Sequence, residues 1–524
     1  MTLARLMIAF AGTELPPSAA RRIHDEGVAG VTLFRAHNVV DPPQVRRLTA
    51  AIQGARPAGA PPLLVGADQE GGQLIGLGDG TTPFAGAMAL GATGDEALAE
   101  RVAGATAREL RALGVNVDYA PVCDVASTPA NPALGIRSFG DDPEAVGRLA
   151  AATVRGLQDE GVAATVKHFP GAGETAADPH HGLPLVARTA AELSTRELVP
   201  FRMALGAGAR LVMTGHFGIP GPDPDLPTSL SSAILRDLLR DRLGFAGVTI
   251  SDALDMRALA QGSAQIVDAI VALRAGEDVL LAAVDEAALE RLEEGLLQAQ
   301  RRGLVDDGDD AAATRRLGEL RRWLSGDDQP SLDVVGCAEH QALAAELARR
   351  SITLVRDDDG LLPFKPAADA RVVVVQSMPA DLTPADTSST VRPTLASALR
   401  HRLAGVEVIL LPAVPGAADI AGLGERLAGV DLVVVGTFSA HLQPPQAALA
   451  AAALASDTPT VTVALRTPWD LLTYPAARTH VCSYGILPPT MEALAAALLG
   501  EAPFVGRLPV EIAGLYPRGH GLVA

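Results

Sequence analysis

Short aliphatic runs recur along the first part of the chain, each followed by a stretch with helical spacing. They are Leu6–Phe10, Gly30–Phe34, Leu63–Asp68, Val115–Ala120, Ala163–His168, Leu211–Thr214, Gly247–Asp252 and Asp278–Leu281. Strands that are apolar throughout, rather than alternating, are buried on both faces, as in a parallel sheet covered by helices. Eight strand–helix units in this length predict an N-terminal α/β barrel of the (β/α)8 type, uneven in its spacing. Polar residues close several runs: Asp68, Lys167, His168, His216 and Asp252. In a barrel these ends form the rim that carries active sites. A doubly wound sheet would also hold its ligand there, so a shared site is expected either way.

Beyond the barrel, residues 286–302 have amphipathic helical spacing, and the acidic stretch 304–330 reads as a linker or exposed connector. A second α/β unit follows, with strands expected at Ser351–Arg356, Arg371–Gln376, Val406–Leu411, Asp431–Phe438 and Thr460–Leu465. The Ala-rich run 447–455 reads as a helix. This unit is smaller, an open α/β sandwich, and has no glycine-rich nucleotide fingerprint after its strands. The expected layout is a catalytic barrel over 1–325, a linker and connecting helix over 326–348, and the sandwich over 349–524.

Composition narrows the function. A formal net charge of −18 disfavours nucleic acid and anionic membrane surfaces as partners. With 48% hydrophobic but only 3% aromatic residues, aliphatic packing must fill the cores. Cys123, Cys337 and Cys482 form neither a disulfide framework nor a metal-binding pair, which fits a reducing compartment. The apolar stretch from Leu6 to Ala11 is shorter than a signal-peptide core, and no run approaches a membrane span, so a cytoplasmic enzyme is the default expectation. Lys167 and Lys365 are the two lysines beside 41 arginines, and Asn38, Asn116 and Asn131 are the three asparagines. Where Arg replaces Lys so thoroughly, the survivors mark positions at which substitution is chemically costly.

The densest chemistry lies in KHFPGAGETAADPHHGLP, Lys167 to Pro184. It follows a buried strand and carries a lysine, three histidines, two acids and a threonine. The bland alternative is a solvated surface loop, but so many titratable groups at one strand's C-terminal end point to a site. In GFAGVTISDALDM, Asp252 ends an apolar strand; read alone, it serves equally well as a rim carboxylate or, with Ser251, as a helix N-cap. LLVGADQEGG ends a strand at Asp68, with Gly71–Gly72 permitting close backbone approach, and NPALGIRSFGDDP sets Arg137 in a loop. The neighbouring His180 and His181 beside Asp178 invite a zinc reading, but adjacent ring positions rarely converge on one ion; no metal and no cofactor are expected.

Together with GVTLFRAHNV, NVDYAPVCDV and VMTGHF, these segments resemble glycoside hydrolase family 3, specifically its bacterial β-N-acetylhexosaminidase branch. The resemblance covers nearly the whole first domain, in order and spacing, and the two-domain layout also occurs in this branch. It implies Asp252 as catalytic nucleophile, His180 as general acid/base held by Asp178, and Asp68, Arg137, Lys167 and His168 as residues that grip sugar hydroxyls. The resemblance implies a small carbohydrate partner, an N-acetylglucosaminide such as one derived from muropeptides. The chain departs from the family pattern at Gly76, where an arginine is usual, at Ala172 and Glu174, where His and Asp are common, and at Pro179 between the dyad partners. A β-glucosidase, a phosphorylase using the same site and an inactive sugar-binding protein stay open as alternatives.

Overall fold

The computed structural model describes residues 2–175, 182–186, 188–220, 223, 226–282, 284–326, 328–367 and 369–523. Eight parallel strands close into a barrel: β1 (Leu6–Ile8), β2 (Gly30–Thr32), β3 (Leu64–Ala67), β4 (Val117–Asp118), β5 (Ala163–Phe169), β6 (Leu211–Thr214), β7 (Val248–Ala253) and β8 (Val279–Leu281). Closure runs through β1, which pairs Met7 with Gly30 on one side and Leu6 with Leu280 on the other. All eight expected runs are barrel strands.

Both faces of each strand are buried, which is why the runs are continuously apolar. Met7, Leu64, Leu211, Met213, Val248, Ile250, Val279 and Leu281 fill the barrel interior. Their neighbours Leu6, Ile8, Val65, Val212 and Leu280 point outward into the core shared with the helices. The alternation is the two-residue period of a strand, with an apolar partner on each side.

One expectation fails at the bottom of the barrel. Much of the stretch 304–330 is not a connector but a helix, Asp307–Trp323, capped by Asp306, which accepts the amides of Gly308 and Asp309. Its acidic first turn suits the positive end of a helix dipole. Leu317 and Leu320 close the interior cluster from below, while Arg316 binds both oxygens of the buried Asp278. The low apolar content had disguised a plug as a linker.

After the connecting helix Ala338–Ser351 comes a six-stranded sheet: β9 (Thr353–Asp357), β10 (Val372–Ser377), β11 (Val406–Leu411), β12 (Leu432–Thr437), β13 (Thr460–Ala464) and β14 (Thr479–Cys482). Their order is β9-β14-β13-β12-β10-β11, with β9 antiparallel to β14 and the other pairings parallel. Separate apolar clusters on the two faces, Val372 and Val374 on one and Val373 and Val375 on the other, make the unit a sandwich. The Ala-rich run is helical, Pro444–Leu454. Strand β14 was not foreseen; it is four residues long and carries Thr479 and His480, which pair with the sheet interior rather than advertise a strand.

The domains are tied together at several points. His340 of the connecting helix meets buried Glu109 of the barrel at 2.7 Å, and Asp141 accepts the Glu511 amide at 2.7 Å. Among the described residues, no helix is long and apolar enough to cross a membrane, and no group of three or more His, Cys, Asp or Glu side chains is placed to hold a metal ion.

Candidate active site

The C-terminal ends of the barrel strands open into a cavity of about 1000 Å3. Asp68, Arg137, Lys167, His168 and Asp252 all line it, drawn together from positions up to 184 residues apart. One wall comes from the second domain, through residues 381–387, 389 and 390. Asp178, Pro179 and His180 lie outside the described residues. Thr175, which leads into that segment, lines the cavity.

Asp68 directly follows β3. The chain then forms a small antiparallel ribbon, Gln69–Gly71 against Leu74–Ile75. Gly71 and Gly72 turn it with φ of +78° and +62°, and a Cβ at Gly72 would lie 2.9 Å from the Ala85 carbonyl oxygen. Glycine is required there on both counts.

Beneath Asp68 runs a line of alternating charges. Lys167, projecting from β5 and 1% exposed, places its Nζ 2.5 Å from Asp68 Oδ1 and 2.6 Å from Glu70 Oε1. Arg137 grips Glu70 with a two-pronged contact, Nε and Nη2 each 2.8 Å from a carboxylate oxygen. Burial works to raise the Glu70 carboxyl, but Arg137 and Lys167 overcome it and hold the group at about 2. For Lys167, burial favours the neutral amine, yet Asp68 and Glu70 keep it above the ordinary lysine range. Two fixed cations and two fixed anions therefore offer directional donors and acceptors without reorganisation, which suits hydroxyl recognition.

His168 extends the line. Its Nδ1 lies 2.7 Å from Asp124 Oδ2, and Nε2 faces Arg137 Nη2 at 3.5 Å. Because a guanidinium can only donate, Nε2 is the bare acceptor and the Nδ1 proton goes to Asp124. Asp124 is buried and also accepts the Ala172 amide at 2.7 Å, anchoring the described segment that leads to Thr175.

Asp252 lies in β7, and no helix begins there; the next helix of more than one turn is Gln265–Ala275. The N-cap alternative therefore falls, and the residue is a strand-end carboxylate on the cavity. Its Oδ1 accepts the Ala253 amide at 2.8 Å. Behind it, buried His216 donates from Nε2 to the Ala253 carbonyl at 3.2 Å and pairs Nδ1 with the Ser229 hydroxyl at 2.7 Å. Burial lowers the His216 pKa against the pull of Asp252, so a neutral ring braces the strand end.

Sequence reasoning gave no role to Glu70, Asp124 or the 381–390 segment. Glu70 and Asp124 stand inside the quoted DQEGG and NVDYAPVCDV segments, three and six residues past the ends of β3 and β4, and that placement was the available signal. Gly76 is packed so tightly that a Cβ would lie 2.5 Å from the Asp68 carbonyl oxygen, so this backbone has no room for a side chain in place of the usual arginine.

Residues 8–312 match the glycosyl hydrolase family 3 N-terminal domain. The chain belongs to glycosyl hydrolase family 3. Members similar to it include β-hexosaminidase A of Pseudoalteromonas piscicida, 34% identical over a 382-residue alignment that covers 67% of this chain and 63% of that protein. The chain thus spans under two thirds of that relative's length. A β-N-acetylglucosaminidase/β-glucosidase of Cellulomonas fimi is 32% identical over 490 residues, covering 86% of this chain and 84% of the relative. The solved family 3 β-N-acetylglucosaminidase of Paenibacillus sp. str. FPU-7 superposes with a TM-score of 0.91 at 34% identity, covering 98% of each chain. The expected family and the barrel-plus-sandwich fold are both met.

Proposed function

We propose that this family 3 protein is a retaining β-N-acetylhexosaminidase that releases terminal β-linked N-acetylglucosamine. The observation that carries the reading is the shared cavity: a strand-end carboxylate, Asp252, and the Asp68–Lys167–Arg137–His168 row line one space. The names of the Cellulomonas fimi relative and of the Paenibacillus structure favour the N-acetylated sugar.

In this reading Lys167, Arg137, His168 and Asp68 hold the hydroxyls of the terminal sugar. Asp252 attacks the anomeric carbon, the bond to the leaving oxygen breaks, and His180 gives that oxygen its proton. Water then gives a proton back to His180 and displaces the Asp252 carboxylate. Asp178 accepts from the other ring nitrogen, selecting the tautomer and favouring imidazolium before cleavage. Support comes from the loop's anchored start: five residues of extended chain from Thr175 span at most about 17 Å, and Thr175 itself lines the cavity.

A second reading, turnover of β-glucosides, is favoured by the absence of an arginine side chain at Gly76 and by the double name of the Cellulomonas fimi relative. A neutral histidine repels an anion less than a carboxylate does, so phosphate is an acceptor to test beside water. Rates on 4-nitrophenyl N-acetyl-β-glucosaminide and on the matching β-glucoside, each with and without phosphate, separate these readings. Preference for the glucoside would overturn the first. A cytoplasmic role in cell-wall recycling rests on family analogy.

A further inference from the structure

We propose that Thr387, in the second domain, is a positioning residue for Asp68 of the barrel. The inference rests on the reading of Asp68 as a sugar-gripping residue. Asp68 is the root of the ribbon formed by Gln69–Gly71 and Leu74–Ile75. After the ribbon the chain returns to that root, where the Gly76 amide donates to the Asp68 carbonyl at 2.8 Å. Anything that moves the ribbon pulls on the carbonyl end of Asp68, through the peptide bond to Gln69 and through the Gly76 amide.

A two-stranded ribbon this short is marginal by itself and needs outside bonds. On the barrel side, Gln69 donates its amide to Asp118 at 3.0 Å and receives the Leu77 amide at its Oε1, also at 3.0 Å. The outer strand is held from the other domain, by Thr387. The Thr387 amide donates to the Gln73 carbonyl at 2.7 Å, its hydroxyl donates to the same oxygen at 3.0 Å, and the Ile75 amide donates to Oγ1 at 3.2 Å. The clasp joins residues more than 300 positions apart and stands beside the cavity that both domains line.

The segment presenting Thr387 is itself braced. Buried Asp386 accepts the amides of Leu382 and Ser388 and the Arg466 guanidinium, the last at 2.5 Å. Asp381 accepts both the amide and the hydroxyl of Ser389, at 2.7 and 2.6 Å. Such a strap transmits the position of the sheet end to the ribbon instead of yielding to it. The second domain thereby sets the height of Asp68, and with it Lys167, whose Nζ binds the same carboxylate.

The test compares Thr387→Val and Thr387→Ser in the full chain. Valine keeps the shape and the backbone bond but loses both hydroxyl bonds; serine keeps all three. Two hydrogen bonds at about 0.5–1.5 kcal/mol each correspond to a change of roughly fivefold to a hundredfold. For Thr387→Val, amide exchange in residues 69–76 should quicken about tenfold, with KM rising about tenfold and kcat falling less. Thr387→Ser should stay within about twofold on both readouts. Unchanged exchange in Thr387→Val overturns the clasp. Faster exchange with unchanged KM overturns the positioning role, as does a serine variant no better than valine. A wild type that cleaves the β-glucoside but not the N-acetylglucosaminide defeats the proposed substrate, and the same comparison then runs on the glucoside. A wild type inactive on both defeats the enzymatic reading, while exchange still decides the clasp and a loss of N-acetylglucosamine binding in Thr387→Val decides the positioning.

Discussion

Replacing Glu70 by glutamine keeps the shape of the side chain and removes the charge that Arg137 and Lys167 share. The structure gives the size of the loss. The carboxyl is held at about 2 against an ordinary 4.5, a shift that corresponds to about 3 kcal/mol. Breaking a buried pair by removing one partner costs about 3–5 kcal/mol by general experience, which agrees. The guanidinium cannot escape by losing its proton, since an arginine side chain is not deprotonated in proteins at these pH values. A depressed carboxyl contributes stability that is fully present above the unfolded value and is lost as pH falls through the folded one. The difference between wild type and Glu70→Gln should therefore be full at pH 7, shrink below about pH 4.5 and nearly vanish at pH 2. For a large domain, about 3 kcal/mol corresponds to a Tm lower by roughly 6 °C. Scanning fluorimetry of both proteins at pH 7 and pH 3 reads this directly, with sugar affinity measured alongside. An unchanged Tm at pH 7, or an equal loss at both pH values, would refute the charge-network reasoning.

Other consequences are equally open to measurement. Asp252→Ala should abolish hydrolysis with the fold intact by circular dichroism; more than about a tenth of the wild-type rate would defeat the nucleophile assignment. His180→Ala should slow substrates with poor leaving groups far more than activated aryl glycosides, because an activated phenolate departs with little protonation, and equal losses on both would count against the acid role. Glu277 is wholly buried in the barrel, bonded to the Thr214 hydroxyl, and burial pushes its carboxyl up to about 8. An acid raised in the folded state costs stability progressively from about pH 4.5 upward, levelling off above 8 at something on the order of 5 kcal/mol. Glu277→Gln should thus gain Tm over wild type as pH rises from 5 to 8, and a flat difference across that range would show the site stays ionised.

Much of the barrel was legible because its physics is local. Strands buried on both faces are apolar throughout, and their polar last residues announce the rim. Asp68, Lys167, His168 and Asp252 were readable for that reason. Glu70 and Asp124 were not, because what defines them is a partner 67 or 44 residues away, invisible to any periodicity. The helix Asp307–Trp323 hid behind its charges, since a barrel plug needs only a few apolar positions such as Leu317 and Leu320. The clasp at Thr387 was out of reach for the same reason as Glu70: a threonine in a polar loop gains meaning only when the fold sets it against Gln73. The two readings of Asp252, cap or rim carboxylate, needed only the observation that β7 runs through that residue without a helix following.

The central claim is that the Asp252 carboxylate bonds covalently to the sugar. Incubation with a slow fluorinated glycosyl donor, which forms the intermediate faster than water removes it, followed by peptide mass spectrometry, tests this claim most directly. The account predicts one added glycosyl mass on the peptide carrying Asp252, absent in Asp252→Ala. A label on another residue, or full turnover of the natural glycoside by Asp252→Ala, would contradict it.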